Sequence, residues 1–540
     1  MRMRLWTIAA LLVLPATATA ADPPIVFQTQ PVGRILGDVR AVIKMVGGEA
    51  AVTGFTDGLK EKLGDKGFDG LDLDRPILGY VTLAEKLEES VGVIVIPVTG
   101  EKEFLALIER VGGEKLKAGD NGIYDIPTMD EGVKVQMRFE ARNVYIAIGK
   151  APTAALDPKS LVAPAKLHDP AEKALASVKV YFDRMPKELR NQIGAALGEL
   201  KNQLKELKLP ADASEPARKA VDELIKLGTR YTDMLQDAES AGAKVILDVN
   251  TGEAAIEVAL AGKAGTPLAK VIAERQPSTN KFAGLITPDT VAGMKLQLPF
   301  FAKEIQSAAV IGLEAGQKQL AEAAPAEFKP LIEEVFKGLV RTVNDGEVDL
   351  AISFRGPDKD GLYTVVGAVA FEDSSGIEKE LRALFKKELP PMYRGIFNLD
   401  VATVDKTNIH QAKVGGFLPP EAQKIFGEEA SLTFAFAPKG IYIAFGPDAV
   451  NTMKAALAVK KAPSPPFEIV INPSKVAKLI SDLGQEVPKG FGTQDKVVSV
   501  VALSIEGGKE LRIKLGTNLK WIEGAGGALL PGGAKPPVKD

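Results

Sequence analysis

The chain contains no cysteine. Disulfides, thiolate metal sites, a thiol nucleophile and lipid attachment through a thiol are therefore excluded. Histidine is almost as scarce, with only His168 and His410 among 540 residues. Neither has a neighbour at the HxxxH or HxxE spacing that places two ligands on one helical face. We therefore expect both histidines to be surface polar residues, and we predict a protein without a catalytic site or a cofactor.

Other functional classes are disfavoured by composition. Aromatic residues make up 6% of the chain, which argues against a sugar-binding platform of exposed rings. Lys and Arg total 67 against 70 for Asp and Glu. This balance leaves no excess of positive charge that would indicate binding to nucleic acid or to an anionic membrane surface. The 52 glycines form neither GxGxxG after a strand nor GxxxxGK[ST], so a nucleotide site is not indicated.

The N-terminus has the pattern of a secretory signal peptide. Arg2 and Arg4 precede an apolar run from Leu5 to Leu14, and Ala18-Thr19-Ala20 supplies the small residues that a signal peptidase reads. The apolar run is about half of the ~20 residues that a bilayer crossing needs. We predict a signal peptide over residues 1–20, and export to the periplasm or the cell exterior without a transmembrane segment in the mature chain.

Two segments of the chain repeat each other without a gap. Val135–Gly149 aligns with Leu432–Gly446, and both contain the sequence Tyr-Ile-Ala-x-Gly at their end. Both alternate apolar and other residues with the period of a strand and break once at a turn. We predict a β-hairpin at each place, followed by an apolar helical stretch.

A longer order of elements also recurs. Strand, two amphipathic helices, two strands and a helix are predicted from Val178 to Glu274, and again from Lys295 to Lys387. A shorter version runs from Phe467 to Leu515. Repetition on this scale indicates duplication of a unit with helices on a sheet. We predict an α+β protein of duplicated modules, in which antiparallel sheets are covered on one face by helices and carry inserted β-hairpins.

The predicted modules are bounded by Pro-rich joints and grouped in two related halves, approximately 22–285 and 286–530. They are a hairpin-bearing module over 21–165, a helix-rich module over 166–285, a second hairpin-bearing module over 286–460, a short module over 461–528 and a disordered tail over 529–540.

Three stretches carry a likeness to a known group of proteins: Gly70-Leu-Asp-Leu-Asp-Arg-Pro76, Tyr145-Ile-Ala-Ile-Gly149 and Phe282-Ala-Gly-Leu285. With these the chain resembles uncharacterised secreted proteins that recur as paralogues in planctomycete-type bacteria. The likeness extends over most of the mature chain. It implies export and a shared fold, and since the group has no established activity it implies no functional residue.

One acidic loop is a candidate calcium site. Asp69, Asp72 and Asp74 fall close together, and Gly67 and Gly70 permit the sharp bending that calcium loops require. The order of the acidic positions is wrong for an EF-hand, and turn chemistry accounts for the same residues. We predict that the protein binds no metal. If it does bind one, the three aspartates are the candidate ligands.

Ser278-Thr279-Asn280-Lys281 has the S-x-x-K spacing of an acylating serine. That chemistry needs the serine and the lysine on one helical turn within a cleft. Here Pro277 precedes the pair, and a short apolar strand is predicted over Phe282–Ile286. We therefore predict a loop without catalytic function.

The predicted function is that of a non-enzymatic exported protein, a binding or structural component of the cell envelope. Its expected partner is an unidentified protein or a hydrophobic small molecule. The alternative is a carrier that holds a lipid or another hydrophobic ligand in a groove between helices and a curved sheet. Both interpretations use the same apolar helix stripes, such as Leu189–Leu207.

Overall fold

The structure is a computed structural model of the 540-residue chain. It describes residues 22–523 except 114, 120, 129–131, 208, 211, 300, 301, 387–394 and 488–490. The predicted signal peptide and the predicted disordered tail lie outside the described residues. Within the described part, no helix combines the length and the apolar character that crossing a membrane requires.

Nineteen strands form one antiparallel sheet, and two very short strands form a separate pair. The strands are β1 (Ile25–Pro31), β2 (Pro76–Thr82), β3 (Val91–Pro97), β4 (Ile123–Ile126), β5 (Lys134–Glu140), β6 (Asn143–Gly149), β7 (Ala176–Tyr181), β8 (Ala238–Asp248), β9 (Glu253–Gly262), β10 (Thr279–Asn280), β11 (Thr290–Pro299), β12 (Glu347–Arg355), β13 (Thr364–Ala370), β14 (Phe397–Val404), β15 (Thr407–Lys413), β16 (Ser431–Ala437), β17 (Gly440–Gly446), β18 (Ala462–Pro463), β19 (Phe467–Ile471), β20 (Val498–Glu506) and β21 (Leu511–Asn518). The separate pair is β10 with β18.

The described helices connect strands of this sheet. They are α1 (Val32–Leu63), α2 (Glu101–Gly112), α3 (Pro164–Leu167), α4 (Lys187–Glu206), α5 (Glu215–Leu235), α6 (Pro267–Ala273), α7 (Lys303–Ala323), α8 (Lys329–Asn344), α9 (Ser375–Lys386), α10 (Pro420–Phe426), α11 (Ala449–Leu457) and α12 (Pro473–Asp482). Helix α1 is interrupted at Gly48, whose φ of 71° and ψ of -171° are not helical. It therefore consists of two helical segments on either side of this glycine.

The strand order reveals two halves that meet at the contact between β9 and β21. Outward from β9 the order is β8, β7, β1, β2, β3, β6, β5 and β4. Outward from β21 the order is β20, β19, β11, β12, β13, β17, β16 and β15, with β14 added at the edge. Corresponding strands follow each other in the same sequence, and the repeated hairpins are β5–β6 and β16–β17. The two halves are thus related by an approximate two-fold operation centred on β9 and β21.

The predicted α+β class with antiparallel sheet is confirmed. Strands of different predicted modules pair directly, as β1 does with β7, β9 with β21 and β11 with β19. The modules therefore share one sheet.

Helices pack on both faces of the sheet, rather than on one face as predicted. On one face, Phe104 and Leu107 of α2 pack against Met137 and Val144. On the opposite face, Met453 of α11 packs against buried residues of β13, β16 and β17. Both faces can bury side chains because the flanking strands are apolar on both sides, the pattern of a strand covered twice. The central strands differ from the flanking strands because one of their faces is left open to solvent. The candidate site lies on these central strands.

Candidate functional site

One face of the sheet is apolar along a row that crosses many strands. Val245 lies opposite Ile256, Ile256 opposite Leu515, and Leu515 opposite Leu503. Residues paired in this way point to the same side of an antiparallel sheet. The row continues through Phe467, Leu296, Leu350, Val369, Ile441 and Phe436.

A second row on the same face crosses the other half. Val258 lies opposite Ala243, Ala243 opposite Val178, and Val178 opposite Phe27. It then passes through Gly79, Ile94, Ile146 and Met137. Every member of both rows is apolar.

At the contact between the halves this apolar face is open to solvent. The side chains of Val245, Ile256, Val258 and Leu515 are 44%, 60%, 45% and 55% exposed. We call the apolar side chains of β8, β9, β21 and β20 on this side the seam face. Its members are Ala241, Ala243, Val245, Leu247, Ala254, Ile256, Val258, Leu260, Leu511, Ile513, Leu515, Val501, Leu503 and Ile505.

The opposite side of the same strands is charged and already paired. Lys244 Nζ lies 2.8 Å from a carboxylate oxygen of Glu172, and Lys514 Nζ lies 2.7 Å from Glu253 Oε1. Lys179 forms a third pair with Glu510 at 2.9 Å. The centre of the sheet is therefore amphipathic, with its charges satisfied on one side and large aliphatic groups exposed on the other. Exposed contiguous apolar surface of this kind marks a ligand or partner site.

Two cavities lie at opposite ends of the paired strands β9 and β21. The small cavity, of about 460 Å³, is lined by residues that include Val245, Leu247, Ile256, Val501 and Leu515. Its lining is almost wholly apolar.

The large cavity, of about 940 Å³, begins at the other end, where Leu260 and Leu511 are paired. Helix α5 supplies Tyr231 and Leu235 to its wall, and α6 supplies Leu268. Both volumes fall in the range of roughly 300–1,000 Å³ that is usual for small-molecule sites. The seam face joins the two cavities through Val258 and Ile513, which form the intervening pair.

The side chains of the candidate calcium loop are engaged in contacts within the chain. Arg75 Nε donates to Asp72 Oδ2 at 2.8 Å, and this bond holds the pKa of Asp72 below its usual value. The backbone N–H of Asp74 donates to Asp72 Oδ1, as in an Asx turn, while the N–H of Asp69 donates to Lys66 O. Turn formation and the two ion pairs of Asp72, with Arg75 and Arg142, thus account for these residues. In the part of the chain that the structure describes, the carboxylates that converge with a histidine lie elsewhere.

That convergence is the cluster of Glu378, Asp400 and His410. His410 on β15 is fully buried, so the expectation of a surface histidine is wrong. Its ring lies on the apolar face, opposite Phe434. The alternation of side chains along β15 was the one signal in the sequence that could have indicated its burial. Nδ1 accepts the backbone N–H of Asp400 at 3.3 Å, and Nε2 lies 3.5 Å from Glu378 Oε1.

The positively charged side chain of Arg382 already occupies this cluster. Arg382 donates to Glu378 Oε1 at 2.6 Å and to both carboxylate oxygens of Asp400. Because Nδ1 of His410 accepts a backbone N–H, the ring proton sits on Nε2, and that nitrogen has no lone pair for a metal. Burial lowers the pKa of His410, which keeps the ring neutral. The arrangement is a network built on one buried histidine, and it supports the irregular pairing of β14 with β15.

The S-x-x-K segment does not form a helical turn. Thr279 and Asn280 form β10, and Lys281 Nζ lies 3.8 Å from Glu347 Oε1. Asn280 is buried and caps the backbone N–H of Phe282. The strand predicted over Phe282–Ile286 is wrong, because Ala283–Leu285 forms a 3-10 turn that buries Phe282 and Leu285 in the core. The other histidine, His168, is exposed as expected.

Comparison with protein-family models, with curated proteins and with solved structures gives no match for this chain. The resemblance to secreted planctomycete-type proteins therefore stays a prediction. The seam face and the two cavities beside it are the features of the structure from which a function can be inferred.

Proposed function

We propose that this protein is an exported, non-enzymatic carrier that holds the hydrocarbon chain of a lipid-like ligand along the seam face. The observation that carries the proposal is the exposure of Val245, Ile256, Val258 and Leu515 within two continuous apolar rows of side chains. Burying apolar surface contributes about 25 cal/mol per Å², so the open face gains stability when an apolar chain covers it.

The shape of the flanks favours a narrow ligand over a second protein. The large cavity is walled on one side by Tyr231 and Leu235 of α5 and on another by Leu268 and Val271 of α6. A flexible chain can enter such a recess, whereas the broad face of another sheet cannot. An extended chain that ran from the small cavity to the large cavity would contact Ile256, Leu515, Val258 and Ile513 in turn.

The sequence is compatible with a carrier that works by binding alone. Three lysines of the central strands, Lys179, Lys244 and Lys514, are engaged in ion pairs on the opposite face. The buried His410 network is built around Arg382 and holds a strand irregularity. The predicted signal peptide supports the export of such a carrier.

The proposal is tested with delipidated protein and a fluorescent long-chain fatty-acid probe. The wild-type protein should bind the probe saturably, and unlabelled oleate should displace it. Leu515→Glu introduces a charge into the seam face and should weaken binding at least tenfold. Phe417→Glu is the matched control, because Phe417 is also exposed (72%) but lies outside the seam face.

Two results would overturn the proposal. One is the absence of saturable, displaceable binding by the folded wild-type protein. The other is a concentration-dependent dimer, seen by light scattering, that Leu515→Glu abolishes while the probe does not bind. In that case the seam face is an interface between two copies of the chain.

A further inference from the structure

The large cavity has two chemically different ends. Leu260, Leu268 and Leu511 line the end at β9 and β21, and Gln297 and Glu347 line the end at β11 and β12. Strands β20 and β19 separate β21 from β11. Three strand spacings of about 4.8 Å place the polar end roughly 14 Å from the apolar end. A ligand with a polar head and an apolar chain can therefore contact both ends at once.

The charged side chains of the lining balance each other. The described lining holds two acids and two bases, which are Glu274, Glu347, Arg275 and Lys461. Glu347 accepts a hydrogen bond from Gln297 Nε2 at 2.9 Å, and Arg275 has a partner within the chain. Moving a charged head group out of water is costly unless the group finds an opposite charge. A lining without net charge therefore favours an uncharged head.

Neutral hydrogen-bonding groups gather at the polar end. Ser278 and Thr279 line the cavity there, because the side chain of Asn280 donates to the backbone oxygens of Leu296 and Leu350 at 3.1 Å and so fixes this segment to β11 and β12. Both residues are partly buried. In the part of the chain that the structure describes, neither hydroxyl has a hydrogen-bond partner. Two hydroxyl groups are thus available to a ligand.

Gln297 adds an acceptor to these hydroxyls. It lines the cavity and is 6% exposed. Its Nε2 is engaged by Glu347, whereas its Oε1 has no partner among the described residues. A buried acceptor without a hydrogen bond costs free energy, and a ligand hydroxyl is a donor that could satisfy it. A hydroxyl both donates and accepts, so it also matches the side chains of Ser278 and Thr279.

Resting on the proposed function, we infer that the ligand is an uncharged amphiphile whose head group carries hydroxyls, of the monoacylglycerol class. Its head lies at the end of the large cavity formed by Ser278, Thr279 and Gln297, and its chain runs over Leu511 and Leu260 onto the seam face. A fatty acid shares the chain and binds through it, but it lacks the hydroxyls that this end of the cavity recognises.

The test compares monododecanoylglycerol with methyl dodecanoate, each as a competitor of the fluorescent fatty-acid probe at pH 8. The two ligands share the chain and the ester, and they differ by the free hydroxyls of glycerol. The wild-type protein should bind the glyceride about fivefold or more tightly, as expected when at least one net hydrogen bond is gained. Dodecanoate and dodecylamine, which carry opposite charges, should both bind more weakly than the glyceride.

A double variant identifies the residues that recognise the head. Ser278→Ala, Thr279→Val removes both hydroxyls and keeps a β-branched side chain in β10. Its preference for the glyceride over the methyl ester should fall to about twofold or less, while its affinity for the methyl ester stays unchanged. Thr403→Val, at an exposed position of the edge strand β14, is the matched control and should keep the full preference.

The outcomes separate the two proposals. Equal wild-type affinities for the glyceride and the methyl ester would overturn the hydroxyl-bearing head while leaving the carrier in place. Tighter binding of dodecanoate or dodecylamine than of the glyceride would do the same, as would a double variant that keeps the full preference. Binding of none of these ligands by the folded wild-type protein would overturn the carrier itself.

Discussion

Ile256 and Leu515 lie directly opposite each other at the contact between the two halves of the sheet. Both are large aliphatic side chains, and they are 60% and 55% exposed. Fully burying such a side chain is worth about 1.5–3 kcal/mol, so the folded chain leaves a favourable interaction unused at its centre. This pair defines the surface from which the proposed function follows.

Truncation on the seam face should cost little stability. Because Ile256 is mostly exposed, Ile256→Ala should change the free energy of unfolding by less than about 1 kcal/mol. Leu285→Ala, at a fully buried position of the core, should cost about 2–5 kcal/mol. Denaturant titration of both variants without ligand measures the difference. A large loss for Ile256→Ala would mean that the seam face is covered within the folded chain.

Affinity should increase with the length of the ligand chain. Each methylene that leaves water contributes about 0.8 kcal/mol, which corresponds to about fourfold in the dissociation constant. We expect affinities of saturated fatty acids from eight to fourteen carbons to rise by up to this factor per carbon and then to level off when the seam face is filled. Displacement of the fluorescent probe measures the series. A flat series would contradict binding through the chain.

Asp349 should make the protein less stable at neutral pH than it is in mild acid. Burial, with a smaller contribution from Glu347, raises the pKa of the Asp349 carboxyl to about 6, against 3.8 as its usual value. The folded state therefore prefers the protonated acid, and stability falls as the pH rises from about 4 through 6.

Asp349→Asn removes this dependence. It should stabilise the protein at pH 8 by up to about 3 kcal/mol and have little effect at pH 4. Melting temperatures of the wild type and the variant across this range provide the measurement. Asp57→Asn, on exposed α1, is the control and should be neutral. A variant that is less stable at pH 8 would contradict the assignment of a buried proton.

Below neutral pH, His410 should change the stability of the protein in the opposite direction to Asp349. Burial lowers the pKa of His410, and the charged groups that face it are Glu378, Arg382 and Asp400. The unfolded chain takes up a proton near pH 6.5, before the folded chain does. The stability contributed by neutral His410 is therefore present above that pH and declines as the pH falls.

His410→Gln keeps an acceptor for the Asp400 backbone N–H and removes the titration. The melting temperature of this variant should fall less than that of the wild type between pH 7 and pH 5. His168→Gln changes the other histidine, which is exposed, and should follow the wild type. If both variants behave like the wild type, the buried network does not contribute to the acid response.

The sequence was sufficient for the fold class and for many elements. Period-two alternation located the hairpins at 135–149 and 432–446, and the helix patterns located α4, α5, α7 and α8. The edge strand β14 was missed because Asp400 adopts a left-handed φ of 57° and breaks its alternation. The burial of His410 was missed because its partners Glu378 and Asp400 are brought to it only by the packing of α9 and the edge strand.

The exposure of the seam face could not be predicted from the sequence either. Leu511, Ile513 and Leu515 alternate with Arg512 and Lys514, and this pattern is the same whether a helix covers the apolar side or leaves it open. Exposure depends on where the helices of both halves lie, which is a property of the assembled sheet. The cavity at Leu260 and Leu511 likewise requires the pairing of β9 with β21, strands about 250 residues apart in the chain.

The central claim is tested most directly by photocrosslinking a diazirine-labelled fatty acid to the folded, delipidated protein and mapping the modified peptides. The account predicts that labels concentrate on β9 and β21, around Ile256, Val258 and Leu515, and that unlabelled oleate competes them away. Labels confined to other surfaces, or labelling that oleate does not reduce, would contradict it.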